Sequence, residues 1–192
     1  TRLKAFDETL VGMTDQMRFS AGNGPVYVMG VDSGSTSTDA VVVDGEGTVV
    51  ASVILPTGSK ATESARKAID QVLEKAGISR DQVTLAVATG YGRDSIPDMD
   101  TSITEITCHA RGAHALAPEA MTIVDIGGQD SKVIKLDRDG GVVNFVMNDK
   151  CAAGTGRFLE MMARTLELEL PEMSRRGQKW KKDLTISSMC TV

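Results

Sequence analysis

The sequence is poor in cysteine, has no long hydrophobic run and carries no block of like charge. Its three cysteines are too few for a disulfide scaffold. No apolar stretch approaches the ~20 residues of a membrane span, and the N-terminus has no signal-peptide pattern, so we expect a soluble, cytoplasmic protein without a membrane partner. The 21 basic and 26 acidic residues are dispersed along the chain, which argues against a nucleic-acid-binding surface.

The 192 residues, of which 41% are hydrophobic, are enough to bury one good core or two small ones. Residues 1–25 have the pattern of an amphipathic helix followed by a linker, either the tail of an upstream domain or a helix that packs on the rest. Because the chain starts without Met and stops two residues after Cys190, we interpret it as an excerpt of a longer protein.

A strand-turn-strand-turn-strand pattern occurs twice, in residues 26–55 and again from residue 121. Between the two units, periodicity predicts a helix over residues 60–76, a buried strand over 83–88 and a second helix over 105–117. A shift of 93 residues superposes Asp32 on Asp125, Gly34 on Gly127, Asp44 on Asp137 and Gly47 on Gly140. This predicts an internal duplication, with a first half-domain at 26–118 and a second at 119–192.

Each repeat has an aspartate at the end of a buried strand, followed by a tight turn that contains glycine. Glycine lets backbone amides approach an anion, and hydroxyl side chains add hydrogen-bond donors. A carboxylate at the strand end, here Asp32 or Asp125, can hold Mg²⁺ directly or through water. Two such turns related by duplication predict opposing phosphate cradles across a cleft.

Cys151 lies just before a Gly154-Thr155-Gly156 turn. An apolar stripe from Phe158 onward predicts a helix after this turn, with Thr155 as its N-cap. The amides and the dipole at a helix N-terminus favour negative charge, which would stabilise a thiolate or an anionic metal cluster. We therefore expect the distinctive chemistry of the chain near Cys151.

These motifs resemble known families. Gly30–Thr36 and Asp125–Ser131 resemble the phosphate motifs of the acetate-kinase, sugar-kinase, heat-shock-chaperone and actin ATPase superfamily. Within it, Ala88–Arg93, Thr104–Ala110 and Asn148–Gly156 resemble the activators of 2-hydroxyacyl-CoA dehydratases and the related ATPase subunits of benzoyl-CoA reductase, the BadF/BadG/BcrA/BcrD type. The resemblance implies a duplicated ribonuclease H-like α/β ATPase fold, with the second half and the adenosine site incomplete in this chain.

The resemblance also implies a homodimer that carries one 4Fe-4S cluster at its interface, with two cysteine ligands from each chain. Cys151 and Cys190 stand at the matching positions. ATP hydrolysis would drive one-electron transfer from this oxygen-sensitive cluster to an acyl-CoA dehydratase or reductase, with a ferredoxin or flavodoxin as the donor.

For ATP hydrolysis we assign Asp32 and Asp125 to Mg²⁺ and its waters, and Glu105 and Gln129 to the attacking water. Arg93 and Lys132 are either phosphate contacts or structural residues. The predicted ATP/ADP contacts are Ser33, Gly34, Ser35, Thr36, Gly127, Gly128, Gln129, Asp130, Lys132, Gly154, Thr155 and Gly156.

Two alternative functions remain open from the sequence. A small-molecule kinase of the N-acetylhexosamine type would need a catalytic aspartate, for which Asp94, Asp98 and Asp100 are the candidates. A non-catalytic, nucleotide-dependent regulatory module would bind nucleotide without turnover. The remaining cysteine, Cys108, is expected to be a buried, inert thiol, and the two histidines to be structural or surface residues.

Overall fold

The computed structural model describes residues 25–183, so the predicted N-terminal helix and Cys190 lie outside the described residues. None of the helices in this range is long and apolar enough to cross a membrane. The strands are β1 (Tyr27–Ser33), β2 (Ser37–Asp44), β3 (Val49–Pro56), β4 (Val83–Thr89), β5 (Thr101–Ser102), β6 (Thr122–Ile126), β7 (Ser131–Leu136) and β8 (Val142–Asn148). The helices are α1 (Ala61–Ala76), α2 (Glu105–Leu116), α3 (Gly156–Thr165) and α4 (Leu170–Gly177).

The first sheet has the strand order β3-β2-β1-β4-β5. β1, β2 and β3, the first predicted strand-turn-strand-turn-strand unit, form an antiparallel meander. β4 pairs with β1 in parallel, after the chain has passed through α1. The helix ends where predicted, because Gly77 adopts the left-handed conformation, with φ 69°. In the parallel pair, Asp32 lies opposite Thr89, so the ends of β1 and β4 meet at one edge of the sheet.

Both faces of this sheet are buried at β1, β2 and β4, whereas β3 is largely exposed. Because side chains alternate along a strand, Met29 and Val31 point to one side and Val28 to the other. The first side packs against α1 in a core formed mainly by Met29, Val31, Ala40, Val42, Ala51, Ala65, Ala68, Val72 and Leu73. The second side holds Val28, Val41, Val43, Leu85 and Val87, with Ile103 packed against them.

Truncation of Val42 is expected to destabilise this core. Val42 is fully buried on β2, so Val42→Ala removes two methyl groups from a packed site and should lower the free energy of unfolding by about 2 kcal/mol. Urea denaturation followed by circular dichroism measures the change. The matched control is Val49→Ala on β3, where the side chain is 41% exposed and the loss should stay below about 0.5 kcal/mol. Equal losses in the two variants would contradict this core.

The second sheet has the order β6-β7-β8 and repeats the turn chemistry of the first. Gly47 and Gly140, which the 93-residue shift pairs, have φ values of 75° and 74°. The carboxylates of Asp44 and Asp137 each accept two backbone hydrogen bonds inside their hairpin turns. The donors are the amides of Glu46 and Thr48 in the first repeat and of Asp139 and Gly141 in the second. The predicted duplication is therefore matched in hydrogen bonding as well as in sequence.

The chain divides into two compact units. Unit 1 contains the described residues up to Ile123 together with Ile134–Phe145. Unit 2 contains Val124–Val133 and the described residues from Val146 onward. Unit 1 has a third small core, in which Ala110 of α2 packs with Ile134 and Leu136 of β7.

Helix α3 begins at Gly156, as predicted, but it is shorter than its apolar stripe. Glu167 adopts a left-handed conformation with φ 54°, and the Leu168 amide donates to the Ala163 carbonyl at 2.9 Å. This arrangement closes the helix at Thr165. The predicted stripe therefore continues past the helix end, since Leu166 and Leu168 belong to the cap.

Candidate functional site

The first glycine turn connects β1 to β2 in unit 1. Its backbone closes through a hydrogen bond from the Gly34 amide to the Ser37 carbonyl, at 3.0 Å. Asp32 is half-buried at the end of β1, whereas Ser35 at the tip of the turn is exposed. The turn thus presents a carboxylate and an accessible hydroxyl at the same edge of the sheet, as the sequence predicts for a phosphate cradle.

Two buried threonines, Thr38 and Thr57, form hydrogen bonds that stabilise this turn. The Thr57 hydroxyl donates to the Gly34 carbonyl at 2.8 Å, and it lies 3.0 Å from the hydroxyl of Thr38. The Thr57 amide also donates to the Thr36 carbonyl at 3.0 Å. Sequence reasoning missed Thr57, because it follows β3 and only the antiparallel pairing of β3 with β2 brings it to the turn.

Asp32 and Glu105 both lie near Cys108 in unit 1. The pKa of the Cys108 thiol is raised above its ordinary value, first by burial and also by the negative charges of these two carboxylates. The hydroxyl of Thr89, opposite Asp32 in the sheet, acts in the other direction. Cys108 is half-buried rather than fully buried, and its raised pKa keeps it a neutral thiol near pH 7. The predicted magnesium ligand Asp32 and the predicted water-positioning residue Glu105 thus both act electrostatically on the same thiol.

Alkylation of Cys108 tests this neighbourhood. In the wild-type protein, its rate with iodoacetamide should keep rising at pH values where an ordinary thiol has levelled off, because the pKa is raised. Asp32→Asn removes a negative charge and should lower the Cys108 pKa, so alkylation at pH 8 becomes faster. Peptide mass spectrometry measures the rate at this cysteine alone. The control, Asp70→Asn, removes a charge from the exposed side of α1 and should leave the rate unchanged; an unchanged rate in Asp32→Asn would contradict the arrangement.

The second glycine turn connects β6 to β7 in unit 2 and has the same closure. The Gly127 amide donates to the Asp130 carbonyl at 2.9 Å, the bond that the 93-residue shift predicts from Gly34 and Ser37. Gln129 is exposed at the tip of the turn. The duplicated turns thus share their backbone hydrogen bond, and each presents one exposed polar side chain.

A buried lysine lies beneath the second turn. Lys132 is only 3% exposed, and its ammonium nitrogen lies 2.9 Å from Asp130 Oδ2 and 3.4 Å from Asp125 Oδ2. A buried ammonium needs such anionic partners, because it has lost its hydration. This geometry favours a structural and electrostatic role for Lys132, in which it holds the two carboxylates in place.

The second turn is hydrogen-bonded directly to the start of α3. The amides of Gly156 and Arg157 donate to the carbonyls of Gly127 and Gly128, at 3.0 and 2.9 Å. A Cβ atom on Gly156 would lie 3.4 Å from the Gly128 Cα, so a glycine permits this close approach. These two amides at the helix N-terminus therefore have protein carbonyls as their hydrogen-bond acceptors.

The Cys151 loop leads into this connection. Thr155 occupies the predicted N-cap position, but its hydroxyl donates to the Ala152 carbonyl at 2.6 Å instead of capping the helix. Asn148 closes the other side of the loop, since its side chain accepts from the Cys151 amide at 3.2 Å and donates to the Cys151 carbonyl at 3.3 Å. Because these bonds use the backbone of Cys151, its half-buried thiol stays available as a ligand.

In residues 25–183, no group of three or more His, Cys, Asp or Glu side chains is arranged to hold a metal ion. A thiolate is the ligand that iron–sulfur clusters use, and the half-buried free thiol of Cys151 is of this chemical type.

Two of the three candidates for a kinase aspartate, Asp94 and Asp100, have side chains engaged in local structure. The Asp100 carboxylate accepts from the Ala86 amide at 2.7 Å, and Asp94 lies 3.8 Å from the Arg93 guanidinium. Arg93 also donates to the Gly90 carbonyl at 3.2 Å, which gives it a structural role in the loop after β4.

Comparison with known proteins is consistent with this arrangement. Residues 29–192 match the model of the BadF/BadG/BcrA/BcrD ATPase family. The activator of lactoyl-CoA dehydratase from Anaerotignum propionicum is 48% identical over 169 residues, which cover 87% of this chain and 64% of the relative.

Two solved structures are also similar. The component A of (R)-2-hydroxyglutaryl-CoA dehydratase from Acidaminococcus fermentans is 41% identical, with a TM-score of 0.80 over 86% of this chain and 64% of that chain. The activator of 2-hydroxyisocaproyl-CoA dehydratase from Clostridium difficile, solved with bound ADPNP, is 43% identical, with a TM-score of 0.79 over 86% of this chain and 61% of that chain.

The chain thus spans slightly less than two thirds of the length of these relatives. Its α/β architecture is that of the ribonuclease H-like ATPase superfamily, as the sequence motifs predicted. Since the family match covers most of the chain and includes both glycine turns and Cys151, the protein belongs to the BadF/BadG/BcrA/BcrD ATPase family.

Proposed function

We propose that the complete protein hydrolyses ATP and uses the energy to pass one electron from a 4Fe-4S cluster to an acyl-CoA dehydratase or a related reductase. The observation that carries the proposal lies in unit 2. Two hydrogen bonds join the glycine turn predicted to bind phosphate to the first residues of α3, and Cys151 lies five residues before that helix. A nucleotide and a redox centre bound at these two places would be mechanically coupled.

The glycine turns are the proposed nucleotide contacts. Asp32 and Asp125 would hold Mg²⁺ or its waters, and Ser35 offers an accessible hydroxyl to a phosphate. Phosphoryl transfer to water depends mainly on positioning and charge stabilisation, so Glu105 and Gln129 need only orient the attacking water. The shared electrostatic influence of Asp32 and Glu105 on Cys108 supports a common site for Mg²⁺ binding by Asp32 and water orientation by Glu105.

Cys151 and Cys190 are the proposed cluster ligands. Two thiolates per chain complete a four-cysteine ligand set only in a symmetric dimer, which is why we propose a homodimer. The cluster would supply a one-electron centre. Cys151 fits this role, because its thiol is half-buried and its loop is fixed through backbone bonds by Asn148.

The coupling follows from the connection in unit 2. If binding of the γ-phosphate displaces the Gly127–Gln129 turn, the carbonyls of Gly127 and Gly128 move. The amides of Gly156 and Arg157, which are hydrogen-bonded to these carbonyls, must then move with them. Loss of phosphate would release this displacement. The start of α3, and with it the Cys151 loop, would therefore change position with nucleotide state.

Electron-transfer kinetics test the proposal. The full-length protein is purified without oxygen, reduced with a ferredoxin or flavodoxin, and mixed with a 2-hydroxyacyl-CoA dehydratase. We expect reduction of the dehydratase with ATP and Mg²⁺, and none with ADP. Electron transfer at the same rate without ATP would contradict the proposal, and phosphorylation of a sugar would favour a kinase instead.

A further inference from the structure

Besides the two glycine turns, a third glycine-containing segment contacts the first predicted phosphate site. β4 ends at Thr89, opposite Asp32, and the chain then passes over Asp32 and Ser33 through Gly90, Tyr91 and Gly92. The Gly92 amide donates to the Ser33 carbonyl at 2.9 Å. None of the predicted nucleotide or Mg²⁺ contacts lies in this Gly90–Gly92 loop.

Both glycines of the loop occupy places where a side chain cannot fit. A Cβ atom on Gly90 would lie 2.3 Å from Asp32 Oδ1 and 2.6 Å from the Ser33 carbonyl oxygen. A Cβ atom on Gly92 would lie 2.5 Å from the Ser33 hydroxyl oxygen. The side chain of Tyr91, by contrast, is 89% exposed and points away from these contacts. The loop therefore packs its backbone, without side chains, against the carboxylate and the hydroxyl of the first site.

The loop is itself fixed. The Arg93 guanidinium and the Arg93 amide both donate to the Gly90 carbonyl, at 3.2 and 3.4 Å, and the Ser95 amide donates to the Gly92 carbonyl at 2.9 Å. A backbone held in this way limits the rotamers that a neighbouring carboxylate can adopt.

We infer that the Gly90–Gly92 loop is a positioning element for the first site, which fixes the Asp32 carboxylate for Mg²⁺ and the Ser33 backbone for phosphate. This inference rests on the proposed ATP hydrolysis. Because Gly90 has no side chain, the space beside its Cα is free for Asp32 Oδ1, and any larger residue at position 90 displaces the carboxylate. Gly92 does the same for the Ser33 hydroxyl.

The Mg²⁺ dependence of ATP hydrolysis by the full-length protein tests the role of Gly90. Gly90→Ala should raise the half-saturating Mg²⁺ concentration and lower kcat, each by at least about tenfold, because a displacement of about 1 Å in a catalytic group has effects of this size. Gly77→Ala is the matched control. Gly77 also has a left-handed φ, 69°, but nothing lies within 4 Å of its Cβ position, so this variant carries the backbone strain without the clash and should keep the wild-type Mg²⁺ dependence.

Gly92 gives a second test that avoids backbone strain, since its φ of −89° suits any residue. Gly92→Ala should lower kcat about tenfold in the wild-type background. In a Ser33→Gly background, which removes the two nearest atoms that a new Cβ would meet and leaves the Ser33 carbonyl oxygen at 3.4 Å, the same change should cost less than about twofold. This dependence on residue 33 separates positioning from a general loss of folding.

The outcomes distinguish the inference from the function on which it rests. An active wild type whose Gly90→Ala variant folds and keeps the wild-type half-saturating Mg²⁺ would overturn the positioning role and leave the proposed function intact. The same holds if Gly92→Ala costs as much in the Ser33→Gly background as in the wild type. A full-length wild type that does not hydrolyse ATP would overturn both.

Discussion

A Cys151→Ser protein is expected to hydrolyse ATP at close to the wild-type rate and to transfer no electron. The hydrogen bonds that fix the Cys151 loop use the backbone of residue 151. The second glycine turn is hydrogen-bonded to the backbone of Gly156 and Arg157, not to residue 151. Serine therefore leaves the coupling path in place while it removes a thiolate, the ligand that a 4Fe-4S cluster requires. Phosphate release and dehydratase reduction, measured on the same anaerobic sample, report the two activities separately.

Cys108→Ser is the matched control for this experiment. Cys108 is also a half-buried free thiol, but it lies in α2 and its raised pKa keeps it protonated. Its replacement should leave iron content and electron transfer unchanged. Loss of electron transfer in both variants, or in neither, would contradict the assignment of Cys151 as a ligand.

Lys132→Met is expected to destabilise unit 2 by about 3 kcal/mol, the low end of the range for removing one partner from a buried ion pair. Lys132 is almost completely buried, and its ammonium group contacts the carboxylates of both Asp125 and Asp130. Methionine fills a similar volume without charge, so the two carboxylates lose their common counterion. The effect stays at the low end because both aspartates keep some contact with water, with side-chain exposures of 18% and 28%. Urea denaturation followed by circular dichroism measures it.

A second substitution separates charge from packing. Asp130→Asn removes one of the two carboxylates, so the double variant Lys132→Met/Asp130→Asn should be more stable than Lys132→Met alone. If the single variant is as stable as the wild type, or if the second change brings a further loss, the electrostatic account of Lys132 is wrong.

Much of the fold could be predicted because its signals are local. Gly77 ends α1, Asp44 and Asp137 organise equivalent hairpin turns, and the 93-residue repeat pairs Gly34 with Gly127, whose amides make equivalent hydrogen bonds. The predicted family and superfamily fold are also confirmed. Periodicity, turn chemistry and internal repetition are properties of short segments, so they are visible in the sequence.

The contacts that support the site could not be predicted in the same way. Thr57 reaches Gly34 only through strand pairing, and Gly90 reaches Asp32 only because β4 returns beside β1. Thr155 was predicted correctly as the N-cap position, but its hydroxyl donates to the Ala152 carbonyl of the Cys151 loop instead of capping the helix. The assignments of Mg²⁺, nucleotide and cluster ligands stay predictions.

The most direct test of the central claim is the iron and acid-labile sulfide content of the full-length protein, purified without oxygen, together with its mass in solution. The account predicts a dimer with about four irons and four sulfides, that is, one cluster from two chains. A stable dimer that contains no iron, tolerates air and cannot be reconstituted with iron and sulfide would contradict it.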